Sequence, residues 1–565
     1  MSLILFQLLR NSSSFTTAPS FSRAQHGHLT SSTQLYAEED ATTKNKQDVV
    51  VIGAGWGGLS AAHNLLKSDP SLKITVVDAS PRVGGLVRDG FKSMNGKHKA
   101  EAGQHGFWDN YYNIFKLLDD IPDIDTDDVL SGYAEQGQYS PNGLQAVWPI
   151  YRNQQQLPTG LAQALYTKFT KLSIPDRISA FPLVLAFSEF DDSPEAWKKY
   201  DNISFRELCV KLGVSKKCYD EAFEPMILTG LFAPGSECSA AAALGMAYFF
   251  VLQRQNAFDV RWCKGNIGDK IFQPWVEFME GNDEENGVNF MTSTRVTGFE
   301  HNGSDPSLLS KVICQDKDGK EVEIEAETVV FGVGGAALNA MVRNSPVLAK
   351  HQEFRKFANL RGTGVLATRL YFDRKLDVPY TANACWGFDA GVGQTFFDIT
   401  ELHDIDDSEG TIIECDYYHA ASLIVMDDQS IVDKVKKDLG TILGKQCIDA
   451  QVLDAAIVRL PSAVNWYAPG SYEYMPDIKS KAFKNVYFAG DLVKTNHGSW
   501  SQEKAYVTGA EAANLILGES KEKDIIPLKS DEFHVAAGRQ LVSLSKNIIG
   551  FGDASRAPSL VDFLW

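Results

Sequence analysis

The sequence predicts an α/β protein: a doubly wound parallel sheet assembled from separated segments, with an α+β domain inserted between them. Three observations carry that reading. Asp48–Ile52 is a short β-branched run that breaks at Gly53-Ala54-Gly55-Trp56-Gly57-Gly58. Apolar residues then recur at helical spacing (Leu59, Ala62, Leu65, Leu66), and a second β-branched run follows at Leu72–Asp78. Strand, tight turn, helix, strand is the opening βαβ unit of a doubly wound sheet. Near the far end, Asn485–Ala489 reads as another strand, stops at Gly490-Asp491 and leads into a helix running from about Ser501 through Leu517.

The elements between these ends follow in order. From 150 to 265 helical patterns dominate, broken at Pro175 and Pro182, with the acidic stretch Glu189–Glu195 expected as a solvated loop. Residues 290–333 revert to strands: Arg295–Phe299, Val312–Gln315 and Glu321–Glu325, separated by the turn signals Asn302-Gly303 and Asp318-Gly319. Thr328–Val333 is expected as one more buried strand. The stretch 360–450 is mixed, with a strand over Gly364–Phe372 and a helix over Asp428–Leu443. These divisions give a discontinuous nucleotide-binding domain over 47–150, 265–345 and 456–518. They leave a substrate domain over 151–264 and 346–455, and a weakly patterned tail over 519–565.

Composition narrows the function. With 565 residues, 44% of them apolar and 22% charged, the chain is globular in composition and has material for a large core. Its 54 basic and 72 acidic side chains leave a formal charge of −18. That balance argues against a nucleic-acid partner, because phosphate attraction needs a basic face. The eight cysteines form no C-x-x-C pair and have no histidine pair at zinc spacing. They read as free thiols in a reducing compartment, and no metal is expected.

Residues 1–37 contain no Asp or Glu and are crowded with Ser and Thr. Residues 1–46 are therefore expected to be an organelle transit peptide. The apolar run Leu3–Leu9 points to a plastid, with a mitochondrion as the alternative. No stretch reaches the roughly 18 apolar residues that a spanning helix needs, and the nearest, Ala240–Leu252, suits a buried helix.

The glycines carry the chemistry. Gly53 allows the tight turn, Gly55 lets backbone approach a pyrophosphate, and Gly58 lets helix and strand pack closely: the fingerprint of a Rossmann-type FAD/NAD(P) site. The helix start offers free N–H groups and a positive dipole to phosphate. Asp78 ends the second strand, where a carboxylate can accept hydrogen bonds from ribose hydroxyls. The chain continues Ala79-Ser80-Pro81-Arg82-Val83-Gly84-Gly85, a second glycine pair that suits a cofactor extending further along the protein. Gly490-Asp491 offers a carboxylate to a ribityl and phosphate region. The helix after it can aim its start at the pyrimidine edge of a flavin.

These residues resemble the FAD-dependent amine oxidase superfamily, and within it the carotenoid desaturase branch of phytoene and zeta-carotene desaturase-like proteins. The resemblance covers most of residues 47–518. Its motifs include Glu101-x-x-x-His105-Gly106-Phe107 with Tyr112–Leu118, Phe232-Ala233-Pro234 with Ser239–Ala242, and Gly265–Pro274. Glu503-Lys504-Ala505 and Thr508-Gly509 resemble the closing flavin motif. The resemblance implies FAD, held by these glycines and Asp78, by Arg82, by Asp491, and by Glu503 and Ala505. Val296 would be the adenine-contacting valine. Two departures stand out. The superfamily strand ending in Ala-Val-Pro reads Phe331-Gly332-Val333-Gly334-Gly335 here, and the ribose-binding Glu is the shorter Asp78.

The implied reaction is desaturation, or isomerisation, of a long polyene. Hydride passes to flavin N5, a proton leaves the neighbouring carbon, and the electrons go on to a quinone or oxygen. No catalytic base is assigned. His105 suits a structural hydrogen bond as well as a cavity position, and His497, Trp500 and Glu503 are expected at the flavin edge. Leu165, Phe169 and Leu172 with Lys168 and Lys171 form a basic amphipathic helix candidate for peripheral membrane contact, followed by apolar Ile178–Phe187. Core packing would explain the same pattern. Two other readings stay open: an amine oxidase proper, and a flavin-free lipid-binding protein on the same fold, like the GDP dissociation inhibitors. The two glycine motifs favour a flavin over the latter, and the mid-chain segments favour a desaturase over the former.

Overall fold

Val49–Ile52 reads as unbroken hydrophobics because both of its faces are buried, the mark of a central strand in a parallel sheet. In a computed structural model, which describes residues 46–281, 287–406, 408 and 410–540, that strand is Lys46–Ile52. Residues 1–45 of the expected transit peptide and 541–565 of the expected tail lie outside the described residues.

Ile74–Val77 and Glu321–Phe331 pair with the central strand on either side, both parallel, with Val51 opposite Val76 and Val330. Asn289–Met291 and Val486–Phe488 extend the sheet outward, again parallel. Leu309–Gln315 and Arg295–His301 complete seven strands as an antiparallel meander on the first half of Glu321–Phe331. The two strands expected at Glu321–Glu325 and Thr328–Val333 are therefore one. Nothing in Ala326-Glu327 breaks the chain, and a long strand serves the meander with one half and the parallel core with the other.

A second sheet of eight strands runs in the order Val452–Asn465, Gly362–Phe372, Ile412–Tyr418, Gly393–Asp398, Ala382–Cys385, Gln136–Ser140, Gly143–Trp148, Lys168–Phe169. It is antiparallel except where Ala382–Cys385 meets Gln136–Ser140. Residues 136–148 and 456–465, expected with the nucleotide-binding segments, thus pair in the second sheet. The helix over Asp428–Leu443 forms with the expected ends, its Asp427 side chain accepting from the Ser430 N–H.

Helix Trp56–Ser68 packs against the closing helix Gln502–Ile516 at backbone distance. A Cβ on Gly509 would collide with the Gly57 carbonyl oxygen, and one on Gly57 would lie 2.7 Å from the Gly490 nitrogen. The two ends of the fold are locked together at the glycine turn.

In the helical region, Pro175 and Pro182 open helices (Ile174–Ser179, Phe181–Glu189) instead of breaking one, since the first turn has no use for their missing N–H. Glu189–Glu195 is not a plain solvated loop. Glu189 accepts from Lys199 Nζ at 2.7 Å and from Tyr200 Oη at 2.5 Å, and Asp192 accepts from Trp197 Nε1. Burial pushes the Asp192 carboxyl up to about 6. The amphipathic helix expected through 165–172 does not form. Leu161–Tyr166 ends before Lys168–Phe169 joins the second sheet, and Leu172 is buried. The described part of the tail is docked: Glu532 accepts from the Thr159 N–H, and Arg539 donates to Phe190 O at 2.7 Å. No described helix is long and apolar enough to cross a membrane, and all eight cysteines are buried free thiols.

Candidate active site

The glycine turn is built by crowding. Gly53 has φ +102°, and a Cβ there would strike the Gly332 carbonyl; one on Gly58 would strike the Gly53 carbonyl. Gly332 in turn sits so close to Gly58 that its own Cβ would lie 2.8 Å from the Gly58 Cα. The departure from Ala-Val-Pro is thus a fit: a glycine lets the end of Glu321–Phe331 press against the turn.

Gly55 differs from both. It precedes helix Trp56–Ser68 without any side-chain cap, and the nearest atom to a Cβ placed on it is the Gly85 Cα at 3.6 Å. Gly85 (φ +59°) belongs to the second glycine pair, which is tied down by the Gly84 N–H donating to Ala54 O at 2.7 Å. Two side-chain-free turns therefore face each other beside an uncapped helix start. A methyl group at either would fill the groove, and a dinucleotide pyrophosphate fits it.

Asp78 stands at the rim, oriented by the Ala54 N–H to Oδ2 and the Ser80 N–H to Oδ1, each at 2.7 Å. Val296 lines the same groove. On the other side are Gly490, Asp491 and Ala505. Asp491 accepts from Asn465 Nδ2 at 2.9 Å and from Tyr467 Oη at 3.2 Å. Burial raises its carboxyl above the ordinary range, against the pull of Asn465, the Lys504 charge and Tyr467.

Two expected cofactor residues point elsewhere. The Arg82 guanidinium pairs with Asp89 (Nε to Oδ1 2.5 Å) and Asp269, and Arg88 lines the groove in its place, donating to Gly85 O at 2.9 Å. Glu503 is fully buried, and its carboxylate accepts the Asn113 and Ile114 N–H groups at 2.9 and 3.0 Å, capping the start of helix Tyr112–Asp120. It satisfies another helix and does not line the groove. Gly58 likewise packs rather than lines.

The groove opens into a cavity, and the two together enclose about 900 Å³. Its far part is aromatic: Trp108 meets Phe250 at 5.0 Å, Trp148 meets Phe258 at 4.9 Å, and Trp262 meets Phe397 at 4.8 Å between centroids. Among the described residues, the carboxylates that line the whole space are Asp78 and Asp491, both at the glycine end. His105 and Trp500 line it as well, while His497 is buried 3.5 Å from Glu503. Burial pushes the His105 imidazole down to about 3, so it is neutral, and its Nδ1 has no partner among the described residues. That nitrogen does not make the structural hydrogen bond expected of the ring. No group of three or more metal-ligating side chains occurs among the described residues.

Sequence reasoning missed a buried charge cluster beside this cavity. Arg369 donates to Glu414 Oε2 at 2.6 Å and reaches Glu101 Oε1 at 3.4 Å, while Glu101 Oε2 accepts the Ile267 N–H at 2.8 Å. Asp416 accepts the Gln104 N–H at 3.4 Å, and Gln104 Oε1 lies 3.0 Å from His403 Nε2. Burial holds His403 neutral, pushed down to about 3, so its N–H can donate to that oxygen. The cluster fixes the segment that presents His105. Its members come from three distant stretches of chain, and no local pattern joins them.

Comparison with known proteins agrees with this geometry. A family profile described as flavin containing amine oxidoreductase matches residues 56–517. The 15-cis-phytoene desaturase of Solanum lycopersicum is 24% identical over 499 residues, covering 84% of this chain and 80% of that one. The zeta-carotene desaturase of Synechocystis sp. is 21% identical over 502 residues, covering 83% and 97%. Among solved structures, the cyclohexylamine oxidase of Brevibacterium oxydans superposes with TM-score 0.59 at 16% identity, covering 84% of this chain and 99% of that one.

Proposed function

The chain belongs to the flavin-containing amine oxidoreductase family, and on that footing we propose that this FAD-dependent oxidoreductase acts on carbon–carbon bonds of a carotenoid-like polyene. Bound FAD supplies the hydride acceptor. Gly53, Gly55, Gly84 and Gly85 would cradle its pyrophosphate, Asp78 its adenosine ribose, Val296 its adenine, and Gly490, Asp491 and Ala505 its ribityl and flavin end. The two sheets divide the labour, one carrying the cradle and the other walling the substrate. The electrons would pass to a quinone or oxygen, and the acid-poor leader suits import into a plastid.

One observation carries the substrate class: beyond the cradle, the cavity is lined by aromatic and other uncharged side chains, with no carboxylate among the described residues. A hydrocarbon loses nothing there, whereas a cationic amine would be stripped of water without a counter-charge. The test is anaerobic bleaching of the yellow holoenzyme. Phytoene or zeta-carotene in liposomes should bleach the flavin band while primary amines leave it unchanged. Bleaching by amines alone would assign the amine oxidase reading, and a purified protein with no flavin band would assign the lipid-binding one.

An apolar patch offers such a substrate a way in from a bilayer. Leu165, Ile174, Ile178 and Phe181 are 62%, 71%, 65% and 70% exposed. Lys168, paired with Glu135, and Lys171 are exposed in the same stretch of chain, where Phe169 packs on the cavity residue Trp148 with ring centroids 6.1 Å apart. Exposed apolar side chains flanked by lysines suit the interface of an anionic membrane. Ile178→Asp with Phe181→Asp should cut co-sedimentation with anionic liposomes severalfold and leave flavin content unchanged. Equal sedimentation of this variant and the parent would remove the membrane role from this patch.

A further inference from the structure

Phe232 has φ +54°, a left-handed conformation that bulky residues rarely adopt. It follows helix Glu224–Gly230 and its C-cap Leu231, the place in a helix ending where glycine normally supplies that conformation without strain. Glycine is absent here, and the neighbours Leu231 and Ala233 are buried, so the backbone has no room to relax. Strain of this kind persists where the surroundings over-determine it, and it concentrates at ligand sites.

The ring explains what the strain secures. Phe232 lines the cavity and meets two other aromatic rings edge to face: Tyr418 at 4.5 Å and 79°, and Trp500 at 4.8 Å and 73°. Tyr418 is the last residue of strand Ile412–Tyr418, and its hydroxyl is pinned to Thr395 Oγ1 at 2.7 Å. Trp500 immediately precedes Ser501, the N-cap of the closing helix whose Gln502 and Ala505 line the cradle end. Thr229 and Gly230, just before Phe232 in the chain, line the same cavity. The three rings come from three distant segments and meet at the junction between cradle and substrate cavity.

We propose that Phe232, held in a left-handed turn between Tyr418 and Trp500, is the residue that positions the reacting bond of the substrate against the cofactor. This rests on the polyene reading above. A conjugated or allylic chain entering from the apolar end has no polar handle, so its register along the cavity must be set by shape and by ring faces. A leucine at 232 would fill space, but it would carry the same backbone strain and offer no flat face. The aromatic side chain is what makes the strained turn worth retaining.

The experiment uses holoenzyme and compares Phe232→Gly and Phe232→Tyr with the parent. Flavin content, thermal unfolding temperature, and kcat and KM with a carotene that bleaches the parent are measured for each. Phe232→Gly relaxes the turn, so it should fold and hold flavin, with kcat reduced by about tenfold or more. Phe232→Tyr should recover most of that loss. A glycine variant with unchanged kcat and raised KM would reduce Phe232 to uniform binding and overturn the proposal, as would a lower unfolding temperature with unchanged kinetics. If the parent itself is inert toward every polyene, the substrate reading has failed and this assignment falls with it. A fully active parent beside an indifferent glycine variant sinks this assignment alone.

Discussion

Alanine at Gly55 should give a folded protein that no longer retains flavin, whereas alanine at Gly58 should give a protein that does not fold stably. The two glycines lie in one motif three residues apart, yet their surroundings differ. A Cβ on Gly58 runs into the Gly53 carbonyl, which is backbone and is itself wedged against Gly332. Nothing there can yield cheaply, so the cost reaches or exceeds the ~1–3 kcal/mol typical of overpacking. A Cβ on Gly55 makes ordinary contact with the Gly85 Cα at 3.6 Å and touches nothing else nearby. The protein tolerates it; a pyrophosphate held in that groove, as proposed above, would not. If the same ~1–3 kcal/mol falls on the cofactor, affinity drops by roughly ten- to a hundredfold. Flavin-to-protein absorbance after desalting, set beside the thermal unfolding temperature, separates the two outcomes. A Gly55→Ala protein that keeps stoichiometric flavin would show that the pyrophosphate does not occupy the groove between the two glycine turns.

This contrast marks how far the sequence could be read. The glycine turn and the Gly490-Asp491 stop are legible because each depends on a few consecutive residues whose conformation only glycine permits, and Asp78 is legible as the residue that ends the second strand. Gly332 departs from the family pattern in sequence, and its reason, close contact with Gly58, lies in the fold. Arg82 was misplaced because a charge near a phosphate site reads as a ligand, and its partners Asp89 and Asp269 come from the fold. Glu503 shows the converse: its helix-start position was legible, but the helix start it serves lies at Asn113, almost four hundred residues upstream. The stripe Leu165, Phe169, Leu172 matched a helical period by coincidence, and tertiary pairing of Lys168–Phe169 with the second sheet overrode it. What faces the cavity depends on which distant strands adjoin, and local periodicity carries no information about that.

The buried charge cluster should make this protein less stable as pH rises, and Glu101→Gln should abolish much of that loss. Glu101 and Glu414 pair with one guanidinium, Arg369, whose charge also reaches Asp416, and all four are buried. Three ionised carboxylates would leave two charges uncompensated in a medium that penalises them heavily. Burial, with Glu414 repelling and Arg369 attracting, pushes Glu101 up to about 8, and Asp416 is raised as well. A carboxyl raised on folding takes up a proton. Its contribution to stability is present in full below its ordinary value of 4.5 and is lost as pH climbs through about 8. At about 1.4 kcal/mol per pKa unit, the loss is on the order of a few kcal/mol. Glutamine keeps an oxygen for the Ile267 N–H and cannot ionise. The unfolding temperatures of parent and Glu101→Gln should therefore approach each other near pH 5, with the variant ahead by pH 8.5. Arg369→Met serves as the opposite probe: stranding Glu414 without its partner should cost roughly 3–5 kcal/mol at neutral pH, and less in acid. Parallel pH curves for parent and Glu101→Gln would mean that Glu101 is already ionised in the folded protein, with Arg369 and the Ile267 N–H holding its charge and the proton residing on Asp416.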